Sequence, residues 1–286
     1  MTFFILAGGF GRRAEPLSRL KPKPALPLGG RPLISLLLDQ LRRLGCGEGF
    51  INLHHLGGQV MAAAGPAPGV RFIEEQKLSG SRVLARARPL SSPWLLAVNG
   101  DTYLEVPLPE MEREAAGPGI DGVLLARQDR SGRYARLLHE KGLLRGSAPP
   151  APAGRPEWMY AGAGLFSERA LAHIDEDNFF ASIRRHGLRF RLAFYDGIWL
   201  DLGTPAGYYR ANWEYLAHCR LQRENILSPG ASLSAQAVAR RSILWENARI
   251  GPGVLLAGCI VTAGMAPAPG EYRERILSPL GDFPLG

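Results

Sequence analysis

The chain has 286 residues, of which 46% are hydrophobic and 21% charged. This composition is ordinary for a folded globular protein and excludes disorder as the main state, and the length allows one large domain with a small appendage. No apolar run approaches the roughly 20 residues that span a bilayer, and the N-terminus lacks the basic segment of a signal peptide. The three cysteines share no metal-ligand spacing. We therefore expect a cytoplasmic location and no membrane partner.

The net charge indicates the kind of partner. Lysine and arginine number 34 against 26 acidic residues, which gives +8 at pH 7. A basic protein attracts anions, both nucleic acids and phosphorylated small molecules. Basic and aromatic side chains are not interleaved as they are on nucleic-acid surfaces, so we expect no nucleic-acid partner.

Strand and helix patterns alternate through the first two thirds of the chain. A helix is predicted over residues 32–44, where Leu33, Leu37, Leu41 and Leu44 recur at helical spacing before a glycine. Strands are predicted over residues 3–7, 49–53, 70–74, 94–99, 122–126 and 189–195. This alternation indicates a mostly parallel α/β sheet covered by helices. Residues 146–156 are rich in proline and predict a flexible surface loop.

The C-terminal region has a different period. Every sixth residue from Ile226 gives the series Ile226, Ser232, Val238, Leu244, Ile250 and Leu256. A period of six predicts a parallel β-helix whose aliphatic residues point into a narrow core; the alternative is an irregular tail rich in glycine and alanine. We predict a first domain over residues 1–222, a two-coil β-helix over 223–265 and an irregular tail over 266–286. So short a stack must pack on the first domain or on another subunit.

Glycines and cations cluster directly after the first predicted strand. Gly8, Gly9 and Gly11 allow backbone N–H groups to approach phosphate oxygens, and Arg13 and Lys23 follow within the same short segment. The spacing matches neither a P-loop nor the dinucleotide-binding fingerprint. The cluster predicts a phosphate-binding loop of another kind.

These residues carry a resemblance to a known family. Residues 6–34, LAGGFGRRAEPLS…KPKPALPLGGRPLI, resemble the signature LAGGxGTRLxPLT…PKPxLPVxGxPLI of the sugar-1-phosphate nucleotidylyltransferases. Three later segments resemble the family's metal, sugar-pocket and WxDxGTP motifs, and they are Val98-Asn99-Gly100-Asp101, residues 160–166 and residues 199–205. The chain is most similar to the mannose-1-phosphate guanylyltransferase-like and N-acetylmuramate-1-phosphate uridylyltransferase-like branch. Arg12 and Ala14 depart from the signature.

The resemblance implies a fold and a reaction. The fold is a Rossmann-like, doubly wound mixed α/β sheet of the glycosyltransferase-A-like type, with a short C-terminal left-handed parallel β-helix. The reaction transfers a nucleotidyl group from an NTP to a sugar 1-phosphate, giving an NDP-sugar and pyrophosphate. A phosphate monoester is largely dianionic at pH 7, so this nucleophile needs little help from a general base. The protein has mainly to position two anions and to offset their charge.

The resemblance also implies roles for particular residues. Arg13 and Lys23 are the catalytic cations, and Asp101 and Asp201 hold Mg²⁺, a cation that prefers oxygen ligands. Gly162 belongs to the sugar-binding motif. Ten residues bind the nucleotide, and they are Leu6, Ala7, Gly8, Gly9, Gly11, Arg12, Gly80, Ser81, Asn99 and Gly100.

Two departures leave the specificity open. The family's LGTAG segment, which receives the base, corresponds here to Leu78-Ser79-Gly80-Ser81-Arg82, with a long cation at a position that is normally small. The phosphate-contacting lysine of the EKP segment is missing, and Arg155 is the nearby cation. The resemblance favours a guanylyl- or uridylyltransferase, but the base and the sugar stay unassigned. The alternative function is that of a non-catalytic, nucleotide-sugar-binding regulatory or scaffold protein. Exposed β-helix coils also make a homo-oligomer an expectation.

Overall fold

The computed structural model describes residues 1–174 and 179–286. The α-helices are α1 Leu17–Leu20, α2 Leu33–Arg43, α3 Gly57–Ala64, α4 Leu108–Ala115, α5 Glu168–His173, α6 Phe179–Arg185 and α7 Pro205–His218, and 3₁₀ segments cover Arg12–Ala14, Lys23–Ala25 and Gly80–Ala87. The strands of the first two thirds are β1 Thr2–Leu6, β2 Pro27–Leu28, β3 Arg31–Pro32, β4 Glu48–Leu53, β5 Val70–Glu74, β6 Trp94–Asn99, β7 Thr102–Leu104, β8 Gly122–Asp129, β9 Arg136–Glu140, β10 Leu143–Ala148, β11 Glu157–Ser167, β12 Phe190–Phe194 and β13 Trp199–Asp201.

A nine-stranded mixed sheet forms the centre of the molecule. Its strand order is β5-β4-β1-β6-β11-β8-β12-β10-β9. Strands β1, β4, β5 and β6 are mutually parallel, and the antiparallel β11 lies between β6 and β8. The chain moves outward from β1 through β4 to β5, and then returns to the other side of β1 with β6. The strand order therefore reverses between β1 and β6, where α/β sheets bind ligands beyond the carboxyl ends of their strands.

The sheet is covered on both faces because its strands are apolar on both faces. Along β1, Phe3 and Ile5 are buried in one hydrophobic cluster and Phe4 in another. The first cluster includes side chains of α2, α3, α4 and α7. The second includes side chains of the 3₁₀ segment Gly80–Ala87 and of helices α5 and α6. The prediction of a mixed α/β sheet between helices is confirmed. The expectation of a mostly parallel sheet is wrong, because β9, β10 and β11 pair antiparallel with their neighbours.

Each predicted strand overlaps an observed strand, and its first and last residues differ from the observed ones by at most three positions. The predicted helix over 32–44 is α2, and the strands predicted over 70–74 and 94–99 coincide with β5 and β6. The flexible loop predicted over 146–156 is shorter than expected, because residues 146–148 form the end of β10 and pair with β9. The long strand β11 was recognised from the sequence only as a motif, since its glycines and alanines give no alternating pattern.

The C-terminal region consists of short strands in three small sheets. They are β14 Ile226–Leu227, β15 Ser232–Leu233, β16 Val238–Arg240, β17 Ile243–Leu244, β18 Arg249–Ile250, β19 Val254–Ala257, β20 Ile260–Val261, β21 Gly270–Arg273, β22 Arg275–Ser278 and β23 Gly281–Pro284. From β14 to β20 the chain visits the three sheets in turn. Within each sheet these strands pair in parallel, each with the strand one circuit later.

The six-residue period is wrong in detail. Ile226 pairs with Ile243, and Ile243 pairs with Ile260, so one circuit takes 17 residues rather than 18. Because side chains alternate in a strand, a slip of one residue reverses the side that faces inward. Val238, predicted to face the core, is 46% exposed, whereas its neighbour Ala239 is 5% exposed. Ser232 is also exposed. The other four members of the series are buried as predicted, and they are Ile226, Leu244, Ile250 and Leu256.

The prediction of an irregular tail over 266–286 is also wrong. Strand β21 pairs with β19, and β22 pairs with β20, so both extend the sheets beyond residue 265. Strand β23 then folds back antiparallel on β22. The physical reason is that exposed strand edges offer unpaired backbone groups to the next segment, and Ile276 and Leu277 bury their side chains there. Three of the four prolines that suggested irregularity, at 267, 269 and 279, lie between the strands.

The C-terminal strands share the core of the first domain. Ile226, Ile243, Trp245, Ile260 and Ile276 belong to the same buried cluster as α2 and α7. The coil also has a small core of its own, in which Leu244, Ile250 and Leu256 are buried. The boundary predicted at residue 222 stays a prediction. No helix in the part of the chain that the structure describes is long and apolar enough to cross a membrane.

The inward and outward positions of the coil can be tested by mutation. Leu256 is 2% exposed and Val238 is 46% exposed. We expect Leu256→Ala to lower the free energy of unfolding by about 2–5 kcal/mol because it opens a cavity. Val238→Ala should change it by no more than about 0.5 kcal/mol, as an exposed site does. Urea denaturation measures both, and equal losses would contradict the observed register.

Candidate active site

The site lies where the strand order reverses. Leu6, the last residue of β1, pairs with Asn99, the last residue of β6. The turn after β6 is held to β1 because the N–H of Gly100 donates to the carbonyl of Leu6 over 2.8 Å. A Cβ at Gly100 would lie 2.9 Å from that carbonyl oxygen, so the close approach requires glycine. Both loops that follow β1 and β6 thus begin side by side.

The loop after β1 lines a cavity of about 290 Å³. Its walls include nine of the predicted residues, which are Leu6, Ala7, Gly8, Gly9, Gly11, Lys23, Gly80, Asn99 and Asp101. Gly8 cannot carry a side chain without rearrangement, because a Cβ would lie 2.8 Å from the Asn52 amide nitrogen. Nothing lies within 4 Å of a Cβ at Gly9, which faces open space. The loop therefore presents backbone to the cavity, as phosphate-binding loops do.

Asn52 and Glu75 shape this cavity and were missed by the sequence analysis. The N–H of Ala7 donates to Asn52 Oδ1 over 2.7 Å, and Asn52 Nδ2 donates to Glu75 Oε2 over 2.5 Å. The N–H of Ser79 donates to Glu75 Oε1 over 3.1 Å. These bonds tie the glycine loop to the segment that contains Gly80. The available signal was positional: both residues lie at the carboxyl ends of predicted parallel strands.

Lys23 and Asp101 form an ion pair between the loops. Lys23 Nζ lies 3.1 Å from Asp101 Oδ2. The lysine is 7% exposed, and the aspartate side chain is 40% exposed. Gly11 packs on the lysine stem, and a Cβ there would lie 3.2 Å from Lys23 Cε. The lysine is therefore held in one place, with its charge at the edge of the cavity.

A second cavity of about 450 Å³ adjoins the first and shares Leu6, Asn99 and Asp101 with it. One end is polar, with Arg13, Asp101, Thr102, Tyr134 and Asp201. The other end is apolar, and its wall is formed by Leu84, Leu124, Leu137, Phe166, Phe179 and Phe180. A cavity of this size, with a few polar groups at one end, suits a small organic ligand.

Strand pairing brings the two predicted metal ligands together. Strands β7 and β13 are antiparallel, and Asp201 is opposite Thr102, the neighbour of Asp101. Opposed residues in such a pair have Cα atoms about 4.5–5.5 Å apart. The hydroxyl of Tyr134 donates to Asp201 Oδ2 over 2.6 Å. Burial and the Asp201 carboxylate raise the pKa of the Tyr134 phenol, so it stays protonated and donates.

Tyr134 is itself held by aromatic packing. Its ring meets the ring of Trp199 edge to face, with centroids 5.6 Å apart. Trp199 Nε1 donates to the carbonyl of Ala161 over 2.8 Å, and the Arg127 guanidinium lies over the Trp199 ring at 4.7 Å. Desolvation is the main cause that lowers the pKa of Arg127. This packing fixes the wall of the larger cavity next to Asp201.

The oxygen ligands of this site suit a hard cation. Asp101 and Asp201 each use Oδ2 in the contact with Lys23 or Tyr134. Within residues 1–174 and 179–286 no group of three or more histidine, cysteine or acidic side chains could hold a metal ion. Two carboxylates are nevertheless sufficient for Mg²⁺, which is usually bound by one or two carboxylates, several waters and substrate phosphates.

Some predicted residues lie outside both cavities. Arg12 is exposed and contacts the ring of Phe10, and Gly100 serves the turn after β6. Gly162 has φ +100° and packs on Asn99, while its neighbours Tyr160 and Ala161 line the larger cavity. Ser81 lines the larger cavity and not the smaller one. The roles predicted for Arg12, Gly100 and Gly162 stay predictions.

The structure shows where Arg82 and Arg155 lie, two of the residues at which the chain departs from the family pattern. Arg82 is exposed and lines neither cavity, so it does not crowd the smaller one. Arg155 is in the loop before β11, where its Nε lies 3.0 Å from Glu157 Oε1. It lines neither of the two cavities. In the described chain, Arg155 thus does not replace the missing lysine.

Comparison with known proteins supports the resemblance. The family model of the MobA-like NTP transferase domain matches residues 3–224. Mannose-1-phosphate guanylyltransferase 1 of Arabidopsis thaliana is 25% identical, over 93% of this chain and 79% of the relative. The mannose-1-phosphate guanylyltransferase catalytic subunit beta of Xenopus tropicalis is 23% identical, over 80% and 69%. The motif-based prediction of the family is confirmed.

Solved structures agree on the fold. HddC from Yersinia pseudotuberculosis superposes with a TM-score of 0.65 at 20% identity, covering 75% of this chain and 99% of that one. The same protein complexed with GMP-PN superposes with a TM-score of 0.64. The fold is therefore the mixed α/β nucleotidyltransferase fold.

Gly11→Ala tests the support that this glycine gives to Lys23. Gly11 has φ +67°, and Gly45 has φ +78° with nothing within 4 Å of a Cβ. Left-handed backbone costs a residue with a Cβ about 1–2 kcal/mol, so both alanine variants should lose about that much unfolding free energy. Only Gly11→Ala also displaces Lys23. We expect it alone to weaken NTP binding in calorimetry, and equal affinities in the two variants would contradict the packing.

Proposed function

The chain belongs to the MobA-like NTP transferase family, and from this premise we propose that it transfers a nucleotidyl group from an NTP to a sugar 1-phosphate. The products are an NDP-sugar and pyrophosphate. One observation carries the proposal: two cavities meet at Asp101, with Lys23 beside it and Asp201 across a strand pair. Two phosphorylated substrates can thus meet at a single charged junction.

The nucleotide is assigned to the smaller cavity. Its glycine-lined wall offers backbone N–H groups to the triphosphate, and Gly80 together with Asn52 and Glu75 borders the position of the base. The sugar 1-phosphate is assigned to the larger cavity, whose polar end contains Arg13, Asp101 and Asp201. Its apolar end then receives the sugar ring. This placement puts the sugar phosphate next to the α-phosphorus.

The transfer is an in-line displacement. A phosphate oxygen of the sugar phosphate attacks the α-phosphorus, the bond from that phosphorus to the α–β bridging oxygen breaks, and pyrophosphate leaves with the electron pair. The attacking phosphate is largely dianionic at pH 7, so no general base has to remove a proton. The residues act by position and charge, which is the main part of catalysis in phosphoryl transfer.

Lys23 and Arg13 are assigned to different phosphate groups of the two substrates. Lys23 is buried beside Asp101 and is assigned to the α-phosphate or the sugar phosphate, as a point charge. Arg13 lies at the polar end of the larger cavity and is exposed. Its planar guanidinium can bind two phosphate oxygens at once. Arg13 lines the larger cavity and not the smaller one, so the role that the resemblance implies, at the triphosphate and the leaving pyrophosphate, requires the triphosphate to reach past Asp101 to this residue.

We assign Asp101 and Asp201 to Mg²⁺. When bound, the ion would supply positive charge that stabilises the transition state. The protein's part is to hold the two carboxylates in fixed directions. Lys23 and Tyr134 each contact the Oδ2 atom of one carboxylate, and the Thr102 hydroxyl donates to Asp101 Oδ1 over 3.4 Å.

The remaining expectations concern the tail and its setting. We infer that β14–β22 form a parallel β-helix, a reading supported by the circuit of 17 residues through three sheets. That the helix is left-handed is inferred only from the family resemblance.

Four apolar side chains are exposed on this β-helix, which supports the expected homo-oligomer, and they are Leu227, Leu233, Val238 and Leu255. The cytoplasmic location stays a prediction. No observation on the described residues favours a non-catalytic scaffold.

The deciding experiment is pyrophosphate release with Mg²⁺, across a matrix of NTPs and sugar 1-phosphates. We expect release that requires one NTP and one sugar phosphate together. Asp101→Asn should lower kcat/KM by about 10²–10³-fold, the loss expected when one charge-stabilising group is removed. Asp196→Asn is the matched control, since Asp196 is exposed and lines neither cavity. If no pair reacts, or if both variants lose activity equally, the proposal fails.

Tyr134→Phe tests the orientation of Asp201. The change keeps the ring on Trp199 and removes only the hydroxyl that donates to Asp201 Oδ2. A hydrogen bond to a charged group is worth about 1.5–3 kcal/mol. We expect about tenfold weaker Mn²⁺ binding in the presence of nucleotide, measured by electron paramagnetic resonance. Tyr209→Phe, whose hydroxyl bonds to the Arg241 carbonyl, should bind Mn²⁺ like the parent. An unchanged Mn²⁺ affinity in Tyr134→Phe would show that this hydroxyl does not orient a metal-binding carboxylate.

A further inference from the structure

We infer that the C-terminal coil is part of the catalytic unit, and that Glu246 is a positioning residue that holds the Lys23 segment in place through Lys21. The inference rests on the proposed function, because it concerns how Lys23 is presented to substrate. It does not follow from the family match, which ends at residue 224.

The coil contacts the catalytic segment through an ion pair. Lys21 Nζ lies 3.3 Å from Glu246 Oε1, and the two side chains are only 19% and 25% exposed. Lys21 lies two residues before Lys23, in the short connection between α1 and the 3₁₀ segment Lys23–Ala25. Glu246 follows β17, in the second circuit of the coil. The pair therefore joins residues that are far apart in sequence at the base of the site.

A buried aromatic contact joins the coil to the other end of the same segment. Trp245 is fully buried, and its Nε1 donates to the Tyr208 hydroxyl over 2.9 Å. The Tyr208 hydroxyl in turn donates to the carbonyl of Pro27 over 2.8 Å. The Lys21 ammonium also lies 5.8 Å from the centroid of the Trp245 ring. The segment from Lys21 to Pro27 is thus held at both ends by two adjacent coil residues.

The same contact reaches the second aspartate. Tyr208 belongs to α7, which begins directly after the Asp201 loop and is capped by the Thr204 side chain. Trp245 thereby supports both the segment of Lys23 and the helix that follows Asp201. The coil therefore contacts both the segment that contains Lys23 and the helix that follows Asp201.

The charges explain why an ion pair is used here. Lys21 and Lys23 are close in sequence, and their like charges repel at short range. Glu246 offsets the charge of Lys21, while Asp101 accepts the contact from Lys23. Each lysine thus has a carboxylate partner of its own. Loss of the carboxylate at 246 frees Lys21 and lets the Lys23 segment shift.

The test compares Glu246→Gln, Lys21→Met and the double variant, with Asp282→Asn as the matched control. Asp282 pairs with Arg275 at 2.6 Å within the coil and does not contact the Lys23 segment. In the pyrophosphate assay, each single variant should lower kcat by about three- to tenfold, the range for a partly buried charged contact. The double variant should be no worse than either single variant, because both remove the same interaction. Lys21→Arg should recover most of the rate.

A second readout does not depend on turnover. The rate at which an amine-reactive reagent labels Lys23, resolved by mass spectrometry, reports how well the segment is held. We expect this rate to rise at least about threefold in Glu246→Gln, matching the kinetic change, and to be unchanged in Asp282→Asn. Additive losses of kcat, or faster labelling of Lys21 without any change at Lys23, would overturn the inference. Absence of turnover in the parent would refute the proposed function and leave the labelling result to decide this one.

Discussion

The antiparallel pairing of β7 with β13 is the contact on which the site depends. It places Asp201 opposite Thr102 and so brings together two carboxylates from distant parts of the chain. Two like charges at this distance repel, and the surroundings relieve the repulsion. Lys23 contacts one carboxylate, and the Tyr134 hydroxyl donates to the other. The two carboxylates can lie together here because each aspartate has its own partner before any substrate binds.

The chemistry follows from this balance of charge. An NTP and a sugar phosphate repel each other, and bringing them together is the main cost of the reaction. The glycine loop supplies neutral backbone donors, while Lys23 and Arg13 supply positive charge at two places. Nothing in the proposed reaction requires a protein nucleophile. Rigid placement therefore matters more than any single pKa, and much of the fold serves that placement. Asn52 and Glu75 brace the glycine loop, Trp199 braces Tyr134, and the coil braces the Lys23 segment.

The sequence predicted those parts of the molecule that local patterns determine. Strands β5 and β6 and helix α2 have clear apolar patterns, and the glycine loop has a motif of its own. What it did not predict depends on contacts between distant residues. Glu75 acquires its place only when β5 and β4 are adjacent. Val238 was assigned inward because a strict period of six cannot register a circuit of 17 residues. The strands after residue 265 form only because β19 and β20 offer them free edges.

The central claim is direct, in-line transfer between two bound phosphates at this junction. It is tested most directly by the stereochemistry at the α-phosphorus. The reactive NTP, carrying one sulfur of defined configuration on that phosphorus, would be converted with the sugar 1-phosphate, and the configuration of the NDP-sugar determined by ³¹P NMR. A single in-line displacement predicts inversion. Retention would require an even number of displacements, hence a nucleotidyl-enzyme intermediate, and would contradict a site that acts by position and charge alone.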